Sequence, residues 1–208
     1  AASNGCSEMA TALVTGIVTM MFNWTMLRYV GEEGIAAVTI IMYVLMFASS
    51  LYTGYSYGVA PMLSYYYGEG NREKLHRLVS TSLRVIAVIS LVTAATSFVA
   101  TEPLVAVFAR PEDPVYGLAV TGNRICTVAL LFIGFNIFAS GMFTALSNGV
   151  VSGVLAFSRS FVFMMLTMLT LPVLLGVNGI WLATPTAELM ALAMSALLFL
   201  RYRGRYRY

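Results

Sequence analysis

The sequence predicts an all-α, polytopic membrane protein with six transmembrane helices, and three observations carry that prediction. Of 208 residues, 59% are hydrophobic and only 10% are charged, far below the roughly one quarter of charged residues usual in soluble domains. Apolar runs recur along the whole chain, most of them near or above the ~20 residues a helix needs to cross the hydrocarbon. Those runs are continuous and rich in Leu, Met and Ala, whereas a transmembrane barrel would alternate polar and apolar residues in ten-residue segments.

The expected spans cover residues 5–27, 35–61, 77–100, 115–146, 150–175 and 178–200, followed by a basic cytoplasmic tail, 201–208. The third apolar stretch is short, but helical patterning continues back into the charged "NREKLHRLVS". The second is the long one: from Ile35 to Gly68 a straight helix would reach about 50 Å, against a core of about 30 Å. It must tilt, project into water or break. Gly58 and Pro61 are the candidate hinge, because proline removes a backbone donor and clashes with the carbonyl one turn earlier. Tyr65, Tyr66 and Tyr67 follow where amphipathic rings meet headgroups, and Asn71 can cap the next helix. "PLVAVF", after Glu102, is too short to span and is expected as a small helix at the outer surface.

Charge placement orients the chain. Six spans put both termini on one side, and that side holds Arg72, Lys74, Arg77, Arg84, Arg159 and the four arginines of "RYRGRYRY", nine basic residues against Arg28, Arg110 and Arg124. Because cytoplasmic loops collect Lys and Arg, both termini are expected in the cytoplasm of a plasma (inner) membrane protein. The arginine and tyrosine tail is an expected anchor on anionic lipid, with no nucleic-acid partner. Cys6 and Cys126 lie in apolar surroundings and are expected to be free packing residues.

Depth selects the candidate functional residues. A carboxylate near mid-bilayer costs at least ~2.5 kcal/mol and is a functional hypothesis by default. Glu188 is the clearest case: it lies about 15 Å into the last helix if that helix starts near Asn178. It is a candidate ion-coupling site. Glu8, in the first span, fits either an interfacial residue or a site. Arg159 is expected to snorkel to the cytoplasmic surface. Asn23 and Asn136 can join helices or face a cavity. Among the many aromatic residues, Tyr43 and Tyr52 are candidates for lining a pocket for organic cations, since ring faces attract positive charge. Enzyme chemistry has little support, because His76 is the only histidine and neither a nucleophilic triad nor a metal-ligand cluster stands out.

The segments "GCSEMATALVTGIVTMMFN", "GVAPMLSYYYGEGN", "FNIFASGMFTALSNG" and "LPVLLGVNGIWLATPTAEL" together resemble the multidrug and toxic-compound extrusion (MATE) family, specifically the second half of its bacterial efflux members. The resemblance runs from about Asn4 to Leu200. It implies one six-helix lobe of a twelve-helix secondary antiporter, exporting drugs or organic cations in exchange for protons or sodium. Its partner would be an N-terminal lobe or a second copy. No cofactor is implied beyond the coupling ion. The opening "AASNGCSEMA" fits the second half of a longer protein or a processed six-helix subunit. The family's acidic coupling residue in the first helix of this lobe falls on Glu8. The aspartate that some sodium-coupled members carry falls on Ile133, which leaves Asn136 as the nearest polar substitute. The rival readings are a lipid-linked sugar flippase of the same superfamily and a non-transporting membrane assembly protein. Scarce intramembrane Arg and Lys weigh against the flippase.

Overall fold

Helix starts and stops are set locally, by side chains that satisfy exposed backbone donors and by turns that only certain residues tolerate. Asn71 accepts from the Lys74 amide at 3.1 Å, and Asn148 from the Val151 amide at 3.3 Å, each closing the first turn of a helix. Gly70, at φ +72°, reverses the chain between two spans, in a region that favours glycine. The computed structural model describes the backbone of residues 2–206 and the side chains of residues 13–202, 204 and 206.

Six long helices and one short one result among the described residues: α1 (Ala2–Tyr29), α2 (Glu32–Gly68), α3 (Arg72–Val99), α4 (Thr101–Ala106), α5 (Pro114–Ala145), α6 (Gly149–Leu175) and α7 (Val177–Tyr206). Five of them, α2, α3, α5, α6 and α7, are long and apolar enough to cross a membrane, among the described residues. Large apolar side chains such as Phe47, Val99, Val173 and Leu200 are exposed, as they are on helices solvated by lipid. The protein is an all-α polytopic membrane protein.

Two helices change pitch midway. A 3-10 turn at Thr127–Ala129 interrupts α5, and a π turn at Ser158–Phe163 widens α6. By contrast α2 stays helical through Gly58 and Pro61 over all of its 37 residues, about 55 Å of helix. Of the three expectations for its length, the helix does not break at Gly58 or Pro61. Pro61 still leaves the Tyr57 carbonyl without its helical donor.

The core lies in three layers. One, at the end where α1 meets α2, centres on Met26, Ile41, Val105 and Trp181. At the opposite end, another gathers Leu63, Leu75, Phe143 and Leu155, with Tyr52, Leu130 and Ile133 between them. Tyr206 belongs to the second layer at 5% exposure, with its hydroxyl accepting from Asn148 at 2.9 Å and its ring beside Tyr67 and Phe143. The helix thus continues into the basic tail and packs there. Val105 of the short α4 is fully buried, so this surface helix is pinned to the bundle by its own side chain.

Tyr52 shows how tightly the middle layer is built. It is fully buried, donates to the Leu130 carbonyl at 2.9 Å and shares a hydrogen bond with Thr93. A Cβ on Gly134 would fall 2.8 Å from its ring, so α2 and α5 meet at a distance only glycine permits. Gly134→Val is expected to lower stability by about 1–3 kcal/mol, the usual cost of overpacking, read as thermal unfolding in detergent. Tyr52→Phe should cost less, about 1 kcal/mol. A Gly134→Val protein as stable as the parent would show that the helices separate freely here.

Candidate functional site

Pro185 and Glu188 lie one turn apart in α7, and the structure treats them as a unit. Proline at 185 cannot donate to the Trp181 carbonyl. The buried thiol of Cys126 supplies a donor instead, at 3.3 Å from that oxygen. Cys126 is free, and its position is explained by this bond rather than by packing alone.

Glu188 is buried, with its side chain 7% exposed. Arg159 donates through Nε to both carboxylate oxygens, at 2.8 and 2.9 Å. Asn136 donates through Nδ2 to Oε2 at 2.8 Å and to the Glu188 backbone carbonyl at 2.9 Å. Ser195 donates to Asn136 Oδ1 at 3.1 Å, which turns the amide so that its NH2 faces the carboxylate. Three helices, α5, α6 and α7, therefore meet on one acid. Such charge-assisted bonds are roughly twice as strong as neutral ones, and they offset the cost of burying the charge.

This placement corrects the expectation for Arg159. It turns inward to pair with Glu188, leaving eight basic residues rather than nine to count toward the expected inner side. The reason is depth. Arg159 is ten residues into α6 and Glu188 eleven into α7, so each lies about 15 Å along its own helix. These consecutive helices are antiparallel, so the two backbone positions lie within about 8 Å of the same level, a gap the long side chains close. The π turn at Ser158–Phe163 contains Arg159, and such turns re-aim side chains at functional sites.

Beside the pair is a cavity of about 720 Å³ walled by α2, α5, α6 and α7. Asn136, Arg159 and Ser195 line it together with Ser56, Ser140 and Thr144. Ser140 and Thr144 both hydrogen bond to Ser152, at 3.0 and 2.7 Å between hydroxyls. Pro61 and Tyr57 stand on the α2 wall, so the carbonyl freed by the proline belongs to a cavity residue.

The other sequence candidates lie elsewhere. Glu8 falls outside the residues whose side chains are described. Asn23 is half-buried in a shallow groove with Thr19, Trp24 and Ile35. Tyr43 is half-exposed, stacks on Phe108 and lines an apolar groove with Phe47 and Leu51. Tyr52 is enclosed by the core with its hydroxyl satisfied, so it cannot line a pocket for a ligand. Gly58 is exposed on α2, with open space where a Cβ would be. A second polar cluster, in which Asn123 donates to Thr101 at 3.0 Å and Ser97 bonds Thr127 at 3.0 Å, joins α3 and α4 to α5 in the core.

Solved structures with the same architecture are membrane transporters. An outward-facing multidrug resistance MATE family transporter of the MOP superfamily superposes with a TM-score of 0.86 at 21% identity, over 94% of this chain and 44% of that one. A MOP superfamily transporter from Pyrococcus furiosus, described as having a binding pocket of reversed polarity that suggests a different function, gives 0.85 at 20% identity, over 94% and 44%. The Vibrio cholerae MATE transporter VcmN in its bent form gives 0.85 at 16%, over 97% and 44%. The chain thus spans less than half the length of the structures it matches. No curated protein matches it. The MatE family pattern matches residues 9–170, most of the chain, and the protein belongs to the MatE family of membrane transporters.

Proposed function

We propose that this chain is the C-terminal lobe of a secondary active multidrug efflux antiporter that exports drugs in exchange for protons or sodium. The observation that carries the reading is a carboxylate fixed at mid-helix depth, beside a cavity with apolar walls and a few polar groups, in a lobe of this family. Intramembrane ionisable residues of this kind mark ion and substrate pathways. The complete transporter would pair this lobe with an N-terminal lobe or a second copy, across the plasma membrane with both termini cytoplasmic. Glu8 and Glu188 are the proposed coupling acids, and Gly58 and Pro61 the hinge of α2. The organic-cation part of the proposal rests on Glu8, since Glu188 is already neutralised by Arg159.

A second reading, a flippase for lipid-linked sugars, gains from Arg159. Its guanidinium faces a cavity inside the lobe, so cationic side chains are less scarce there than the sequence suggested. A flippase would move its lipid without a dependence on proton or sodium gradients set by these glutamates.

In the complete transporter, Glu8→Gln with Glu188→Gln should reduce gradient-driven efflux of ethidium by about tenfold, within the ordinary range of coupling energies. Efflux from energised vesicles, compared with and without imposed proton or sodium gradients, measures this. Efflux that keeps its rate and its ion dependence in the double variant would remove both glutamates from the mechanism.

A further inference from the structure

The coupling reading uses the carboxylate of the Arg159 and Glu188 pair and leaves its positive end unused. Arg159 spends Nε on Glu188. Its two terminal nitrogens make no hydrogen bond with the described residues, and the side chain lines the cavity at 23% exposure. A guanidinium presents five donors in a planar fork and recognises oxyanions with two of them at once. Here one edge is occupied and the other is available.

The field in the cavity has a definite sign. Glu188 sits behind the arginine, its oxygens already accepting from Arg159 and Asn136. The ion pair is neutral overall, but it is a dipole whose positive end is the one on the cavity wall. A ligand cation meets the wrong end, and a ligand oxyanion the right one.

A second observation points the same way. Ser56 lines the cavity, is 4% exposed, and its hydroxyl has no hydrogen-bond partner among the described residues. A buried hydroxyl without a partner costs free energy, and this one stands on the wall of a cavity. It can donate to a ligand acceptor without breaking any internal bond. Ile137, Ala60 and Ala191 supply apolar wall between the polar groups. The volume, about 720 Å³, suits a drug-sized molecule.

We propose that this cavity is a binding site for an amphiphilic organic anion, a carboxylate, sulfonate or phosphate on an apolar body, held by the terminal nitrogens of Arg159 with Ser56 as a further donor. The inference rests on the transporter reading only for the role of the ligand as a cargo. Binding itself needs no gradient, so an equilibrium measurement separates failure of this proposal from failure of antiport.

The test uses the intact transporter in phosphatidylcholine nanodiscs, with naphthalene sulfonate and naphthylmethylammonium as probes of similar shape and opposite charge, each corrected for empty nanodiscs. The sulfonate should bind more tightly than the ammonium. Glu188→Gln, which releases Arg159, should tighten sulfonate binding a few-fold. Arg159→Gln with Glu188→Gln, which removes both charges together and leaves no buried ion unpaired, should weaken it by about tenfold or more, the scale of a lost charge-assisted contact. Ser56→Ala breaks no internal hydrogen bond and should weaken it a few-fold. Competition by phosphatidylglycerol would identify the anion as a lipid headgroup, and its absence a free solute. Sulfonate binding that survives the double substitution unchanged, or ammonium binding as tight as sulfonate binding, would overturn the proposal.

Discussion

A carboxylate in hydrocarbon has to be matched or it empties the fold of stability, and much of this lobe is organised around that requirement. Glu188 draws Arg159 from α6 and Asn136 from α5, and Asn136 in turn engages Ser195. These contacts fix the rotation of three helices about their own axes. Apolar packing between membrane helices does not do that well, since lipid tails compete on equal terms with side chains. Polar matching supplies register where burial of apolar surface cannot.

Close approach supplies the rest. Gly134 against Tyr52 and Gly122 against Trp181 each leave no room for a Cβ, bringing α5 against α2 on one side and α7 on the other. The middle of α5 is thus held by contact along its glycine faces and by hydrogen bonds at Asn136. The cavity opens beside that rigid strip rather than within a loosely packed region. A site walled partly by a helix so firmly held keeps its shape, which favours preorganised recognition.

Much of the architecture was legible in the residues. Continuous apolar runs gave the helices, because a segment in lipid must satisfy its own backbone, and depth arithmetic singled out Glu188. The same arithmetic, applied to Arg159, would have placed it well inside its span, within side-chain reach of Glu188; treating it as a snorkelling residue hid its partner. The π turn around Arg159 has no signal in "SRSFVF", since its pitch is set by the packing of α6 and not by local propensity. Aromatic character alone did not distinguish Tyr43, which faces an apolar groove, from Tyr52, which is a core residue. Which face of a helix looks inward depends on its neighbours, and the hydrophobic pattern of a lipid-facing helix barely records it.

The thiol of Cys126 bonded to the carbonyl that Pro185 leaves bare has a practical consequence for labelling work on this lobe. A cysteine-free background is the usual start for attaching spin or fluorescent probes, and here the choice of replacement matters. Serine keeps a donor within reach of the Trp181 oxygen, whereas alanine leaves that oxygen unpaired two turns before Glu188. Distances taken on an alanine background would then describe a helix whose local geometry had been altered at the very place where the charged site is anchored.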